Sequence, residues 1–377
     1  MYLDSVLETI GNTPLVKLQQ LEGIPATVLA KVEAYNPGLS AKDRIVRYMI
    51  AKAEQAGKIR PGATIIEATS GNTGYSLALN CAIKGYKCLL TITDKASEEK
   101  IQGLKALGAE VIVCPSKVAP EDPRSYYSQA KSARSNIANS YYLNQNFNTD
   151  NMEAHYLTTG PEIWEQTSQK ITHYVCCAGT GGTISGSGRF LKEQDPDIKV
   201  VAVDGHGSVL KKFHETGIYD RGVIKPIRIE GLGKTIIPAN VDFSVIDEFA
   251  RVTDKDAALR VREIAKEEGL FVGYSSGAAL QAVYQMKDQL KPTDVVVILL
   301  ADHGSRYLSK IFNDLWMREQ GFLPELELEV SETVQNGLPM VTQNGSYRRY
   351  YRDYYKRYRR IIKKRYRVIK DSLQQKT

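Results

Sequence analysis

The order of elements predicts an α/β protein with mostly parallel sheets covered by helices, on three observations. Between residues 25 and 325, short apolar, β-rich runs alternate with longer stretches of helical periodicity. Three of the helical stretches end in glycine, at Gly57, Gly108 and Gly269, where a helix must turn left-handed to stop. Three turns from an apolar run into a helix are crowded with Gly, Ser and Thr. In an open α/β sheet such turns lie beyond the carboxyl ends of the strands, which is where ligands bind.

Taken in order, the expected strands are Ala26–Val32, Thr64–Glu67, Cys88–Ile92, Val111–Cys114, His173–Cys177, Val200–Val203 and Val295–Leu300. Expected helices include Asp43–Gln55, Tyr75–Ile83, Glu98–Leu107, Asp254–Glu268 and Ser305–Glu319, with another running through Phe190. No internal repeat is visible. A core over 1–323, a polar linker at 324–346 and a separate tail at 347–377 are expected.

A chain of 377 residues, 42% hydrophobic and 25% charged, can bury a large core. It has no unbroken apolar stretch long enough to span a bilayer. Met1-Tyr2-Leu3-Asp4 lacks a basic segment followed by an apolar one, so no secretory signal is expected. The five cysteines show no metal-ligand spacing and lie in apolar runs, which suits reduced thiols in the cytoplasm. The five histidines are scattered, and no metal centre is expected. The net charge of +7 is uneven: residues 347–377 hold 13 Lys and Arg against two acids, a local +11, so the remainder is −4. A nucleic-acid function inferred from overall charge would therefore rest on the tail alone.

The first unusual turn is Thr69-Ser70-Gly71-Asn72-Thr73-Gly74. A helix cap needs one such residue; six in a row make a nest of N–H groups and hydroxyls suited to a carboxylate. The second is Gly179-Thr180-Gly181-Gly182-Thr183, where glycines allow close backbone approach to a phosphate and two hydroxyls add donors. It lacks the Walker lysine and spacing, which disfavours ATP chemistry. The third, Gly273-Tyr274-Ser275-Ser276-Gly277, reads equally as a helix cap. Lys42, in Asn36-Pro37-Gly38-Leu39-Ser40-Ala41-Lys42-Asp43-Arg44, would pass for a surface lysine in isolation.

Together, in this order, these motifs resemble the fold-type II pyridoxal-phosphate enzymes. Ile10-Gly11-Asn12-Thr13-Pro14-Leu15 and His155-Tyr156-Leu157-Thr158-Thr159-Gly160-Pro161-Glu162-Ile163-Trp164 are also similar to that group, specifically to cysteine synthase and cystathionine β-synthase. The resemblance covers residues 1 to about 323. Val203–Leu210, Glu230-Gly231-Leu232-Gly233 and Arg306–Met317 resemble the cystathionine β-synthase side more.

The resemblance implies two three-layer α/β/α domains, the smaller inserted at about 43–145, and a homodimer. It implies pyridoxal 5'-phosphate held by Lys42 as a Schiff base, the phosphate on Gly179, Thr180, Gly181, Gly182 and Thr183, Asn72 at the ring oxygen and Ser275 at the pyridine nitrogen. A hydroxyl there does not enforce a pyridinium, so the electron sink is weaker and side reactions are disfavoured. Thr69, Ser70, Thr73 and Gln145 match positions that bind the substrate carboxylate. The implied reaction is β-replacement through an aminoacrylate, serine plus homocysteine giving cystathionine, with the thiol as co-substrate. Cysteine synthesis from O-acetylserine and sulfide, or sulfide release from cysteine, are the alternatives in the same chemistry. Asn146, where the family generally has an aromatic, and Tyr75, where a smaller residue is common, put the thiol in doubt.

Neither a haem-binding N-terminal region nor an adenosylmethionine-binding regulatory module is expected. Residues 347–370 instead set tyrosines and isoleucines at helical spacing beside Arg and Lys, predicting a basic helical tail. It would pack on protein, bind a polyanion or lie on an anionic membrane surface. An inactive core that recruits a partner through this tail is the reading from another class; intact Lys42, Asn72 and Ser275 argue against it.

Overall fold

The architecture is described from a computed structural model for residues 2–324, apart from Gln20, Ser70, Lys95, Pro120 and the side chain of Glu99. The expected tail, and all of the expected linker but Pro324, lie outside the described residues. In chain order the elements are β1 (Leu15–Lys17), β2 (Thr27–Val32), α1 (Lys42–Gln55), β3 (Thr64–Ala68), α2 (Asn72–Lys84), β4 (Lys87–Thr93), α3 (Glu98–Ala106), β5 (Ala109–Cys114), α4 (Tyr126–Asn136) and β6 (Ser140–Tyr142). There follow α5 (Asp150–Leu157), α6 (Thr159–Gln166), β7 (His173–Cys177), α7 (Gly182–Gln194), β8 (Lys199–Gly205), α8 (Leu210–Thr216), β9 (Glu248–Val252), α9 (Asp254–Glu267), α10 (Tyr274–Met286), β10 (Val295–Leu300) and α11 (Asp314–Glu319).

Two sheets result. The larger has the order β1-β2-β10-β7-β8-β9 and is parallel except at β1–β2; the smaller, β5-β4-β3-β6, is wholly parallel. Parallel sheets need helices on both faces, and the side-chain alternation shows them. Along β10, Val296, Ile298 and Leu300 join a core with Ala278, Val283 and Val261 of α10 and α9. Val297 and Leu299 point the other way, into a core with Ile184 and Leu191 of α7. In the smaller sheet Ile65 and Leu90 pack on Ile45, Met49 and Leu77 of α1 and α2, while Ile66 and Leu89 meet Ala130 of α4. This is a mixed α/β fold of the fold-type II kind.

The glycines at 57, 108 and 269 all have φ between 66° and 84°, the left-handed stop that their places imply. Expected Ser305–Glu319 is not one helix. A 3-10 turn at Gly304–Tyr307 is separated from α11 by extended Asn313, whose side chain accepts the N–H of Leu315 and Trp316 and starts a new helix. Its apolar spacing came from Tyr307, Ile311 and Met317, all buried from two distinct segments. Strands β1, β6 and β9 had no clear sequence signal: two are three residues long, and β9 carries Glu248 and Arg251. Helix α2 begins at Asn72, three residues before its expected start, which brings the first polar turn into the helix itself.

Candidate active site

Lys42 is the first residue of α1, and the segment before it is tied to the end of the larger sheet. The Ala41 N–H donates to Ala301 O at 2.9 Å, and Ser40 bridges to Asp302 beyond β10. Asp43 accepts from the Gly38 N–H at 2.6 Å and from Ser76 Oγ of α2, which closes the Asn36–Lys42 loop onto the smaller sheet's helix. One residue further, Arg44 joins a buried ionic cluster with Glu33, Glu162 and Lys31. Burial pushes the Glu33 carboxyl up, but the Arg44 charge and its hydrogen bonds pull it down to about 2. A charged cluster of this kind is costly to break and fixes the start of α1.

The Lys42 side chain opens into two adjoining cavities of about 180 and 50 Å³ and is otherwise enclosed by protein. Burial lowers its ammonium pKa, although Cys176, Asp302 and Glu33 oppose the shift. A lysine in that condition has an increased neutral fraction and is a competent nucleophile. Both helix starts singled out above face the same cavities: Thr69, Gly71, Asn72 and Thr73 on one, Gly179, Thr180, Gly181 and Thr183 on the other. Ser275, 5% exposed at the start of α10, lines the smaller cavity with Cys177.

The Gly179–Thr183 turn passes the test for a phosphate cradle. A Cβ on Gly179 would lie 2.3 Å from Gly231 O, one on Gly181 2.4 Å from Val241 Cγ2, and one on Gly182 2.0 Å from Asn151 Oδ1. Gly181 also holds φ at +91°, so the turn admits glycine alone at that position without strain. No side chain caps α7, which leaves its first N–H groups for an anion. The hydroxyls are oriented from behind: Asn151 Nδ2 donates to Thr180 Oγ1 at 3.0 Å, and His155 Nε2 meets Thr183 Oγ1 at 3.1 Å. Burial, with the Lys42 and Arg44 charges, lowers His155 to about 3, so its ring is neutral. This donor set, next to a depressed lysine, fits a phosphorylated aldehyde cofactor.

On the other side, Thr73 Oγ1 donates to Gln145 Oε1 at 2.8 Å, and Thr69 Oγ1 accepts from the Gly71 N–H at 3.2 Å. Ser70 lies outside the described residues. Asn72 Nδ2 donates to Asp302 at 2.8 Å, and its Oδ1 accepts from Arg306, which also stacks 4.1 Å over Tyr75. That leaves one of its two amide hydrogens for the cavity.

Several residues at the site were missed by sequence reasoning. Asn151 and Asn240 both donate to Gln145 O, at 2.8 and 2.9 Å, and so hold the loop that carries Gln145. Glu230 receives Lys100 from α3 and Lys310 at 2.5 Å. Lys234 and the paired rings of Tyr126 and Tyr127, 4.1 Å apart, complete the larger cavity. Neither oxygen of buried Glu67 finds a partner of good geometry, and burial pushes its carboxyl up to about 8. Only the unpaired polar composition of β3 in an otherwise apolar run hinted at Glu67.

Residues 6–302 match the pyridoxal-phosphate dependent enzyme family. Cystathionine beta-synthase of Dictyostelium discoideum is 42% identical over 324 residues, covering 86% of this chain and 64% of that protein. The rabbit (Oryctolagus cuniculus) cystathionine beta-synthase is 40% identical over 331 residues, 87% of this chain and 60% of that one. The chain thus spans between 60% and 64% of the length of these curated relatives. A crystal structure of a hydrogen sulfide-producing enzyme from Fusobacterium nucleatum is 36% identical with a TM-score of 0.75, over 81% of this chain and 98% of that one. The family match takes in both sheets, Lys42 and all three glycine-rich turns, and the chain belongs to the pyridoxal-phosphate dependent enzyme family.

Proposed function

We propose that this chain catalyses β-replacement on a small amino acid with pyridoxal 5'-phosphate held through Lys42, and that serine and homocysteine giving cystathionine is the pair it serves. The observation that carries the reading is the convergence of one buried lysine with two anion-binding helix starts in a single small space. When bound, the cofactor supplies an electron sink that acidifies the substrate α-carbon and lets the β-substituent leave.

The remaining work falls to the chain. The N–H groups of Gly179–Thr183, with the Thr180 and Thr183 hydroxyls, hold the phosphate. Asn72 would serve the ring oxygen and Ser275 the ring nitrogen, where a hydroxyl does not enforce protonation. Thr69, Ser70, Thr73 and Gln145 take the substrate carboxylate, assisted by the α2 dipole. Lys42 Nζ, whose charged form burial disfavours, accepts the α-proton. The relatives named cystathionine beta-synthase support the substrate pair. Assembly as a homodimer and a cytoplasmic location belong to the same reading. Among the described residues no helix is long and apolar enough to cross a membrane.

Sulfide release from cysteine is a second reading, supported by the hydrogen sulfide-producing relative, of which this chain covers 98%. The test is to offer serine, O-acetylserine or cysteine, each with homocysteine, sulfide or no thiol, and identify products by mass spectrometry. Cystathionine from serine and homocysteine supports the proposal. Turnover confined to O-acetylserine with sulfide moves the chain to cysteine synthesis, and sulfide from cysteine alone favours the second reading. Borohydride trapping should mark the Lys42 peptide, and Lys42→Ala should abolish the mark.

A further inference from the structure

The larger cavity holds a second lysine for which the proposed roles leave no use. Lys234 lines it together with Thr69, Gly71, Asn72, Thr73 and Lys42, and Lys42 also lines the smaller cavity. Its backbone is fixed by a donation to Ser208 Oγ at 3.0 Å and by the Val209 N–H, which donates to its carbonyl at 2.9 Å. Among the described residues no carboxylate comes within ion-pair distance of its ammonium.

The acids nearby cannot balance it. Glu230, which lines the same cavity, already receives Lys100 at one oxygen and Lys310 at the other. Glu67 is kept protonated near neutrality by its burial. Burial, together with the Lys42 charge, brings Lys234 down to about 8, so it remains mostly charged at pH 7. A cavity-facing ammonium with no counter-ion is completed by an anion on the ligand. The first substrate's carboxylate already has the donors of the Thr69–Thr73 turn and Gln145.

We infer that Lys234 binds the carboxylate of the thiol co-substrate, which makes that co-substrate an amino-acid thiol or another carboxylated thiol, and not sulfide. The inference rests on the β-replacement reading and deepens it. Tyr126, Tyr127 and Asn146 line the same cavity and would border the body of such an acceptor.

The experiment compares wild type, Lys234→Met and Lys234→Arg, using serine with homocysteine, 3-mercaptopropionate, 2-mercaptoethanol or sulfide. Loss of one charge-assisted hydrogen bond should raise KM for the two carboxylated thiols about 10- to 100-fold in Lys234→Met, with kcat nearly unchanged. KM for serine, 2-mercaptoethanol and sulfide should stay within about twofold, and Lys234→Arg should recover much of the loss. An equal rise for neutral thiols overturns the inference, as does a rise confined to serine, which would assign Lys234 to the donor. Calorimetric titration of 3-mercaptopropionate into the holoenzyme reads binding without turnover. Weaker binding in Lys234→Met but not in Thr73→Val supports the inference even if no donor is turned over, in which case the reaction assignment alone fails. Binding unaffected by Lys234→Met overturns it. Melting temperatures of the variants exclude misfolding as the cause.

Discussion

Replacing Glu33 by Gln tests whether the start of α1 is held by charge or only by shape. Glu33 is fully buried and accepts from Arg44 Nε at 2.7 Å, Arg44 Nη2 at 2.8 Å, Thr13 Oγ1 at 2.6 Å and Asn36 Nδ2 at 2.9 Å. Its carboxyl is depressed from 4.5 to about 2 although burial works the other way. A depressed acid contributes stability that is fully present above its unfolded pKa and is lost as pH falls through the folded one. The drop corresponds to about 3 kcal/mol at pH 7, so Glu33→Gln should cost about that much. The cost should shrink as pH falls from 4.5 towards 2, because wild-type Glu33 is then being protonated as well. Urea unfolding of both proteins across this range gives the difference directly. A difference that is constant with pH would refute the electrostatic account and leave packing as the cause. A cost below about 1 kcal/mol at pH 7 would show that Lys31 and Glu162 rearrange to serve Arg44. Because Arg44 lies two residues from Lys42, the variant should also retain the cofactor less well, read as loss of bound chromophore on dialysis.

Three further outcomes are expected. Glu67 titrates at about 8, so between 4.5 and 8 the folded chain keeps a proton that the unfolded chain has released, and stability falls as pH rises. Glu67→Gln should therefore stabilise by about 3 kcal/mol at pH 7, a gain in melting temperature that vanishes near pH 4. Gly181→Ala puts a Cβ 2.4 Å from Val241 at a φ of +91°, and should cost about 1–3 kcal/mol and weaken cofactor binding in a fluorescence titration. Thr73→Val removes the donor to Gln145 Oε1 and should raise KM for the amino-acid substrate about tenfold with a smaller change in kcat, measured by steady-state kinetics.

What could be read from the sequence divides along a physical line. The Gly179–Thr183 turn was legible because its backbone excludes side chains, and that restricts residue type at consecutive positions. The central strands were legible because burial on both faces makes them continuous apolar runs. Edge strands β1 and β9 share neither property. Lys42 carried no local signal of its own and stood out only through the order of its neighbouring motifs. The residues that were missed act across long separations: Glu230 meets Lys100 130 positions away, and Asn240 holds Gln145 across 95. No window of periodicity contains such pairs; in the sequence Glu230 stood out only as part of the Glu230-Gly231-Leu232-Gly233 motif, and Asn240 not at all.

Two lysines, Lys42 and Lys234, line the same small space. The Lys42 charge lowers the affinity of Lys234 for a proton, adding to the effect of burial. Placing them together is unfavourable for the empty protein and becomes favourable when anions arrive. Glu230 does not relieve the repulsion, since Lys100 and Lys310 hold it from both sides. Glu67 does not relieve it near neutrality, because its own burial keeps it uncharged. On the proposed reading, phosphate, substrate carboxylate and acceptor carboxylate would supply the missing negative charge, and binding energy rather than a resident counter-ion would settle the lysines. Affinity for a carboxylated thiol should accordingly fall as pH rises through the pKa of Lys234, about 8, while affinity for a neutral thiol should not change there. Titrating 3-mercaptopropionate and 2-mercaptoethanol between pH 7 and pH 9 separates the two, and parallel curves would mean that the ammonium of Lys234 faces no ligand at all.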